Sequence, residues 1–265
     1  MELYNDGSHI CVVFRHLVTG EAVQSNQFFI YDHDHAALID PGGELTYTAL
    51  FMALSEYINV KKLDFVVASH QDPDIVASIN KWMMGTNCKA VVPGLWDKFI
   101  PHFTRPGKTD GRIVPIPDEG TCLQLGNMRL MALPAHFLHA EGNFQFYDPV
   151  SKILFSGDLG ANLSPEEKLD KPVKRLSEVL PYMEAFHRRY MNGNKVCRLW
   201  ANMVRGLEIS MIVPQHGRAF EGKAIGEFID WIEQLECGVD LMTQANYSLP
   251  RPAVGNPLEA APLVA

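Results

Sequence analysis

The sequence contains no Cys-x-x-Cys pair: its five cysteines, Cys11, Cys88, Cys122, Cys197 and Cys237, lie far apart. An odd, unclustered set argues against a disulfide framework and against a zinc or iron–sulfur knuckle, and reads as reduced, mostly buried thiols. Runs of eighteen apolar residues are also missing, so no transmembrane helix is expected. The opening residues Met1-Glu2-Leu3-Tyr4-Asn5-Asp6 lack the charged-then-apolar layout of a secretory leader. Positive charge is scarce. The formal charge is −8 and no basic stripe exists to track phosphates, so nucleic acid is not an expected partner. No internal repeat and no glycine-rich phosphate loop is present. The expectation is a soluble, cytoplasmic protein without a membrane partner.

The chain has 265 residues, 47% apolar and 20% charged, enough to bury a large α/β or layered core. Its first third reads as strands at Ile10–Val18, Asn26–Tyr31 and His35–Ile39, then an amphipathic helix over Glu44–Asn59. The cluster Asp32-His33-Asp34-His35 has a metal-like composition but lies at a hairpin tip, where Asp and His serve as solvated turn residues. A strand over Leu63–Ala68 leads to a helix over Asp74–Met84, with Ile75, Ile79 and Trp82/Met83 at helical spacing. Further strands follow at Lys89–Pro93, Arg112–Ile116, Thr121–Leu125, Met128–Leu133, Asn143–Tyr147 and Lys152–Phe155. Ser164–Gly206 reads as mainly helical, Glu208–Val213 as a strand and Gly222–Leu235 as a last helix. No shift of composition marks a linker, so one domain is expected over residues 1–247, with a Pro/Ala-rich tail over 248–265. Two sheets face to face with helices outside is the natural way to cover so many apolar strands.

Ser69-His70-Gln71-Asp72-Pro73-Asp74-Ile75 joins one of those strands to a helix. Alternate side chains of an extended loop point the same way, so His70 and Asp72 can grip one metal and Asp74 can reach a second. Asp72-Pro73 is equally a helix start, with Asp capping and Pro in the first turn. Three more residues follow apolar strands in the same manner: His136, Asp158 and His216. Sites collect at strand ends along one edge of a layered fold.

The phrases Ala37-Leu38-Ile39-Asp40-Pro41-Gly42, Ser69-His70-Gln71-Asp72-Pro73-Asp74, Leu133-Pro134-Ala135-His136, Phe155-Ser156-Gly157-Asp158 and Pro214-Gln215-His216-Gly217 together resemble the metallo-β-lactamase superfamily. The resemblance covers about residues 8–235 and implies an α/β fold, an αββα sandwich of two mixed sheets with helices outside. The carboxylate at position 72, followed by Pro-Asp, resembles the di-iron domain of flavodiiron proteins and the stand-alone oxygen-binding di-iron proteins related to them. The resemblance implies two iron ions joined by an oxo or hydroxo bridge: one held by His70, Asp72 and His136, the other by Asp74 and His216, with Asp158 between them. Three carboxylates suit iron better than zinc, which favours nitrogen and sulfur. It also implies a homodimer.

Two departures stand out. Ile75 occupies the position where flavodiiron proteins carry a further loop histidine, and isoleucine cannot ligate. No flavodoxin domain is expected in this chain, hence no FMN, and any electron donor is a separate protein. His139, three residues past His136, reads either as a donor near the site, even a substitute ligand, or as a surface histidine. Asp40 is expected to orient site histidines, and Asn143 and Tyr147 are weaker candidates of the same kind. The leading functional expectation is a protein that binds, senses or slowly reduces O₂, NO or peroxide, with a separate redox or signalling partner. The alternative is a binuclear hydrolase of thioesters, lactones or phosphoesters. A degenerate partner-binding module, with Ile75 as a first sign of decay, is a third.

Overall fold

The computed structural model describes residues 1–250. Most of the expected tail, from position 251, lies outside the described residues. The first sheet has seven strands in sequential order: β1 (Glu2–Asn5), β2 (His9–Phe14), β3 (Gln27–Asp32), β4 (His35–Ile39), β5 (Phe65–Val67), β6 (Lys89–Pro93) and β7 (Ile113–Ile116). The second has six: β8 (Thr121–Leu125), β9 (Met128–Pro134), β10 (Phe144–Asp148), β11 (Ile153–Phe155), β12 (Met211–Val213) and β13 (Phe220–Glu221), in the order β13-β12-β11-β10-β9-β8. Both sheets are mixed: β4, β5, β6 and β7 run parallel, as do β11 and β12. The expected αββα sandwich of the metallo-β-lactamase fold is the fold observed.

The central strands are apolar on both faces because both faces are covered. In β3, Phe28 and Ile30 point between the sheets while Phe29 points to the outer helices; in β11, Ile153 and Phe155 point inward while Leu154 points out. The outer layer on the first sheet is α1 (Tyr47–Ser55), the single turn α2 (Pro73–Val76) and α3 (Ile79–Gly85), packed through Leu50, Leu54, Ile75 and Trp82. On the second sheet it is α4 (Glu184–Tyr190), α5 (Asn194–Val204) and α6 (Lys223–Gln234), packed through Trp200, Phe228 and Ile232.

Three local expectations change. The helix expected over Asp74–Met84 is broken at Ser78, whose N–H donates to Gly42 and whose hydroxyl donates to Pro41. Much of the region from Ser164 to Met183 is turns and short 3₁₀ segments, since Pro165, Pro172 and Pro181 interrupt regular helix. The strands β1 and β13 were too short to show a period of their own.

The hairpin-tip reading holds for His33, Asp34 and His35, which are exposed, but not for Asp32, which is buried. Its carboxylate lies 3.0 Å from His9 Nδ1, while His9 Nε2 lies 2.7 Å from Asp148 Oδ2. Cys11 and Ser151 also donate to Asp148. This network ties β2 and β3 of one sheet to β10 of the other, at the end of the sandwich where β4 and β11 begin. Burial opposes the charge on His9, but Asp148 and then Asp32 outweigh it, so the imidazole pKa is raised from 6.5. Burial likewise opposes ionisation of Asp148 and Asp32, yet their hydrogen bonds hold both below the ordinary 3.8.

The His9 contribution to stability is therefore complete below its ordinary pKa and is lost as pH rises through the raised folded-state value. The carboxylate contributions are complete above their ordinary pKa and are lost as pH falls through the lowered one. The network holds the sheets best between about pH 4 and 6.5. Asp148→Ala is expected to cost about 3 kcal/mol, by taking from the buried imidazolium one of its two carboxylates and leaving Nε2 unpaired. In urea melts, the gap between the parent and His9→Gln should narrow as pH climbs past about 6.5; a gap independent of pH would contradict this.

Candidate metal centre

At the opposite end of the sandwich, the chain leaves β4, β5, β9, β11 and β12 along one edge, and each exit loop brings polar side chains to it. Asp40, just past β4, adopts a left-handed backbone (φ 52°) and is buried. Its Oδ1 accepts from the Ser69 N–H at 2.8 Å, which locks the β5 exit loop to the β4 exit. Burial pushes the Asp40 carboxyl up to about 6. Asp40 thus shapes the loop that carries His70 through the Ser69 backbone, without touching a histidine itself.

His70 is almost wholly buried. Ser69 Oγ lies 3.0 Å from its Nδ1, leaving Nε2 without a partner and 3.6 Å from Asp72 Oδ2. Burial disfavours a charged imidazole here, but the nearby Asp72 carboxylate and the charges of Asp158 and Asp40 carry its pKa up to about 9. His139 and then His70 hold Asp72 well below the usual carboxylate range. Asp74 moves the other way, raised first by burial and also by Asp158.

His136 does not join this group. Its Nε2 meets the Asp118 carbonyl at 2.8 Å and its ring edge packs on Phe144. The structure instead brings in His139, whose Nε2 lies 2.8 Å from Asp72 Oδ2 and 3.4 Å from Asp158 Oδ2, with its ring 5.0 Å from that of His70. The cause is the turn after β9. Leu138 N–H closes onto Ala135, Phe137 N–H onto Ala140, and Phe137 and His139 both take positive φ. This winding turns His136 toward Asp118 and His139 inward. Asn143, fully buried, donates to the Leu138 carbonyl and so supports the turn. Tyr147 points elsewhere, donating to Glu208.

His216 completes the centre from the β12 exit. Its Nδ1 donates to the Gln24 carbonyl at 2.7 Å, aiming Nε2 at Asp74 Oδ2 (3.4 Å) and Asp158 Oδ1 (3.5 Å). The next residue, Gly217, has φ 86° and passes so close to the Asn162 carbonyl that a Cβ would stand 2.0 Å from it. Only glycine fits there. Asp158 therefore sits between two donor groups, Oδ2 toward His139 with His70 and Asp72, Oδ1 toward His216 with Asp74. Ile75 is fully buried in the core between the first sheet and its helices.

Three imidazoles and three carboxylates, with no thiolate, form an oxygen–nitrogen donor set that fits two iron ions better than structural zinc. The buried, unpartnered Nε2 of His70 and Oδ1 of Asp158 fit the same conclusion, because buried polar atoms otherwise find partners. His70, Asp72, His139 and Asp158 have ligand atoms close enough to share one ion.

A family model described as "ODP family beta lactamase" matches residues 23–217. Among solved structures, the chemotaxis sensor ODP from T. denticola in its apo state is 35% identical, with a TM-score of 0.83 over 94% of this chain and 98% of that one. A structure titled "Peroxy diiron species of chemotaxis sensor ODP" is 36% identical, with a TM-score of 0.82 over 94% and 100%. Curated relatives are more distant. An uncharacterised protein of Methanocaldococcus jannaschii is 23% identical over 78% of this chain, and a putative diflavin flavoprotein of Synechocystis is 26% identical over 79%. The chain spans only 52% and 35% of the lengths of those two.

The geometry separates two neighbouring histidines. His139→Ala should lower the metal content of the purified protein to about half or less, since it removes a nitrogen from the buried donor group. His136→Ala should leave metal content unchanged. Elemental analysis of both variants decides, and the reverse pattern would restore His136 as the ligand.

Proposed function

Because the chain belongs to the ODP family of beta-lactamase-like proteins, we propose that it is a non-haem di-iron protein that binds dioxygen and acts as a sensor. His70, Asp72 and His139 would hold one iron and Asp74 and His216 the other, with Asp158 placed between the two groups to serve both. The observation that carries this reading is the placement of the two Asp158 oxygens, each facing a different histidine-and-carboxylate group. The solved relatives are a chemotaxis sensor, one of them in a peroxy di-iron form, and NO and peroxide are the alternative small ligands that such a site would accept. A hydrolytic reading has less support from these relatives. Two ferrous ions held there would supply the electrons with which O₂ is bound or slowly reduced.

The protein's own residues prepare and report that event. Ser69 and Gln24 fix the ring orientations of His70 and His216, so that Nε2 of His216 faces Asp74 and Asp158. His139 faces Asp72 on one side, and its ring packs 5.8 Å from Phe186 and 5.4 Å from Tyr190 on α4. Tyr190 is half exposed. A change in the position of His139 therefore reaches the surface through two rings, where a separate signalling protein can read it. Any continuing reduction draws electrons from a separate redox partner.

Anaerobic loading with Fe²⁺ followed by exposure to O₂ should bind about two irons per chain and produce a new visible absorption band. Two irons with no spectral change on exposure would sink the O₂ reading. Metal affinity should also depend on pH. Metal-free His70 holds a proton up to about pH 9, and the ion must displace it, so affinity should rise about tenfold per pH unit between pH 6 and 8 from this group alone. Titration with Co²⁺ at several pH values checks the sign, and an affinity that falls as pH rises would contradict it.

A further inference from the structure

Gln215 is fully buried immediately before His216, and its place is fixed by the backbone. Its N–H donates to the Gly157 carbonyl at 2.8 Å and its carbonyl accepts from Asn26 at 2.6 Å. Its side chain then has one partner, the Nε2 group donating to Asp74 Oδ2 at 3.3 Å, while Oε1 is buried with none. The orientation is chemically determined. Turning the amide over would set its oxygen against a carboxylate oxygen, two acceptors with no proton between them.

A buried amide whose oxygen has no partner is costly, and an aliphatic side chain of similar size would fill the same space without that cost. A purely structural role therefore does not account for glutamine at this position. The carboxylate it touches belongs to the donor group with fewer residues: Asp74 and His216 share Asp158, and Ile75 is committed to the core.

We infer that Gln215 is a positioning residue for the second metal ion: its amide N–H holds the Asp74 carboxylate, and its unpartnered oxygen stands ready to accept from a protic ligand of that ion. The inference rests on the two-metal reading of the site. The other donor group, built on His70, Asp72 and His139, makes no hydrogen bond with Gln215, so the residue distinguishes the two ions.

The test is an anaerobic titration of the metal-free full-length chain with Fe²⁺ or Co²⁺ against a chromophoric chelator, comparing the parent with Gln215→Leu. Gln215→Met, unbranched and of the same length, serves as a second variant. The second ion should bind at least about tenfold more weakly in both variants, the first ion within about twofold of the parent. The metal-free variants should melt at or above the parent temperature, because an unsatisfied buried amide has been removed. Unchanged affinity for both ions would overturn the role of Gln215. So would a lower melting temperature with both affinities falling together, the pattern of a merely structural residue. A parent protein that takes up no second ion would overturn the two-metal reading itself, a result distinct from either.

Discussion

Asp158 is the constraint on which the site depends. It is almost completely buried, and its two oxygens face opposite directions, toward His139 and toward His216. A carboxylate in such a place needs positive charge nearby, because burying an uncompensated anion costs far more than any single hydrogen bond returns. Asp72 and Asp74 add two more carboxylates within the same small space. The metal-free protein answers partly by protonation, as the raised pKa of His70 shows. Two divalent cations would answer more completely, and the donor atoms are grouped in two sets, one on each side of Asp158.

The remainder of the fold serves this arrangement. Phe144 at the start of β10 donates its N–H to the Ser69 carbonyl, and Ser156 donates its N–H to Val213, so the exit loops of both sheets are joined at one edge. At the far end, the His9 network ties the same two sheets through charge. The sandwich is thus held at both ends by buried polar contacts with apolar layers between them. Such networks are specific, because a shifted register would leave every member without its partner.

Much of this is legible in the sequence, for an identifiable reason. Strands buried on both faces read as continuous apolar runs, and a polar residue directly after such a run stands at the sheet edge. His70, Asp72, Asp74, Asp158 and His216 all follow that rule and all meet. His136 follows it too and yet points away, because two positive-φ residues wind the 135–140 turn and deliver the histidine three positions later. The direction of a tight turn depends on dihedrals that composition encodes only weakly: histidine tolerates a positive φ better than most residues, but Phe137 gives no such signal. Asp32 is a similar case. Its hairpin position suggests solvent, and only the distant Asn127 and His9 reveal why it is buried. Gln215 carried no signal at all, since a lone glutamine beside a histidine acquires meaning only from its neighbours in space.

The most direct test of the two-ion centre is crystallography of the iron-loaded protein with anomalous diffraction at the iron edge. The account predicts two iron peaks per chain, one on each side of Asp158, with the imidazole of His139 contacting the first and that of His216 the second. A single peak, or an iron contacted by His136 in place of His139, would contradict it.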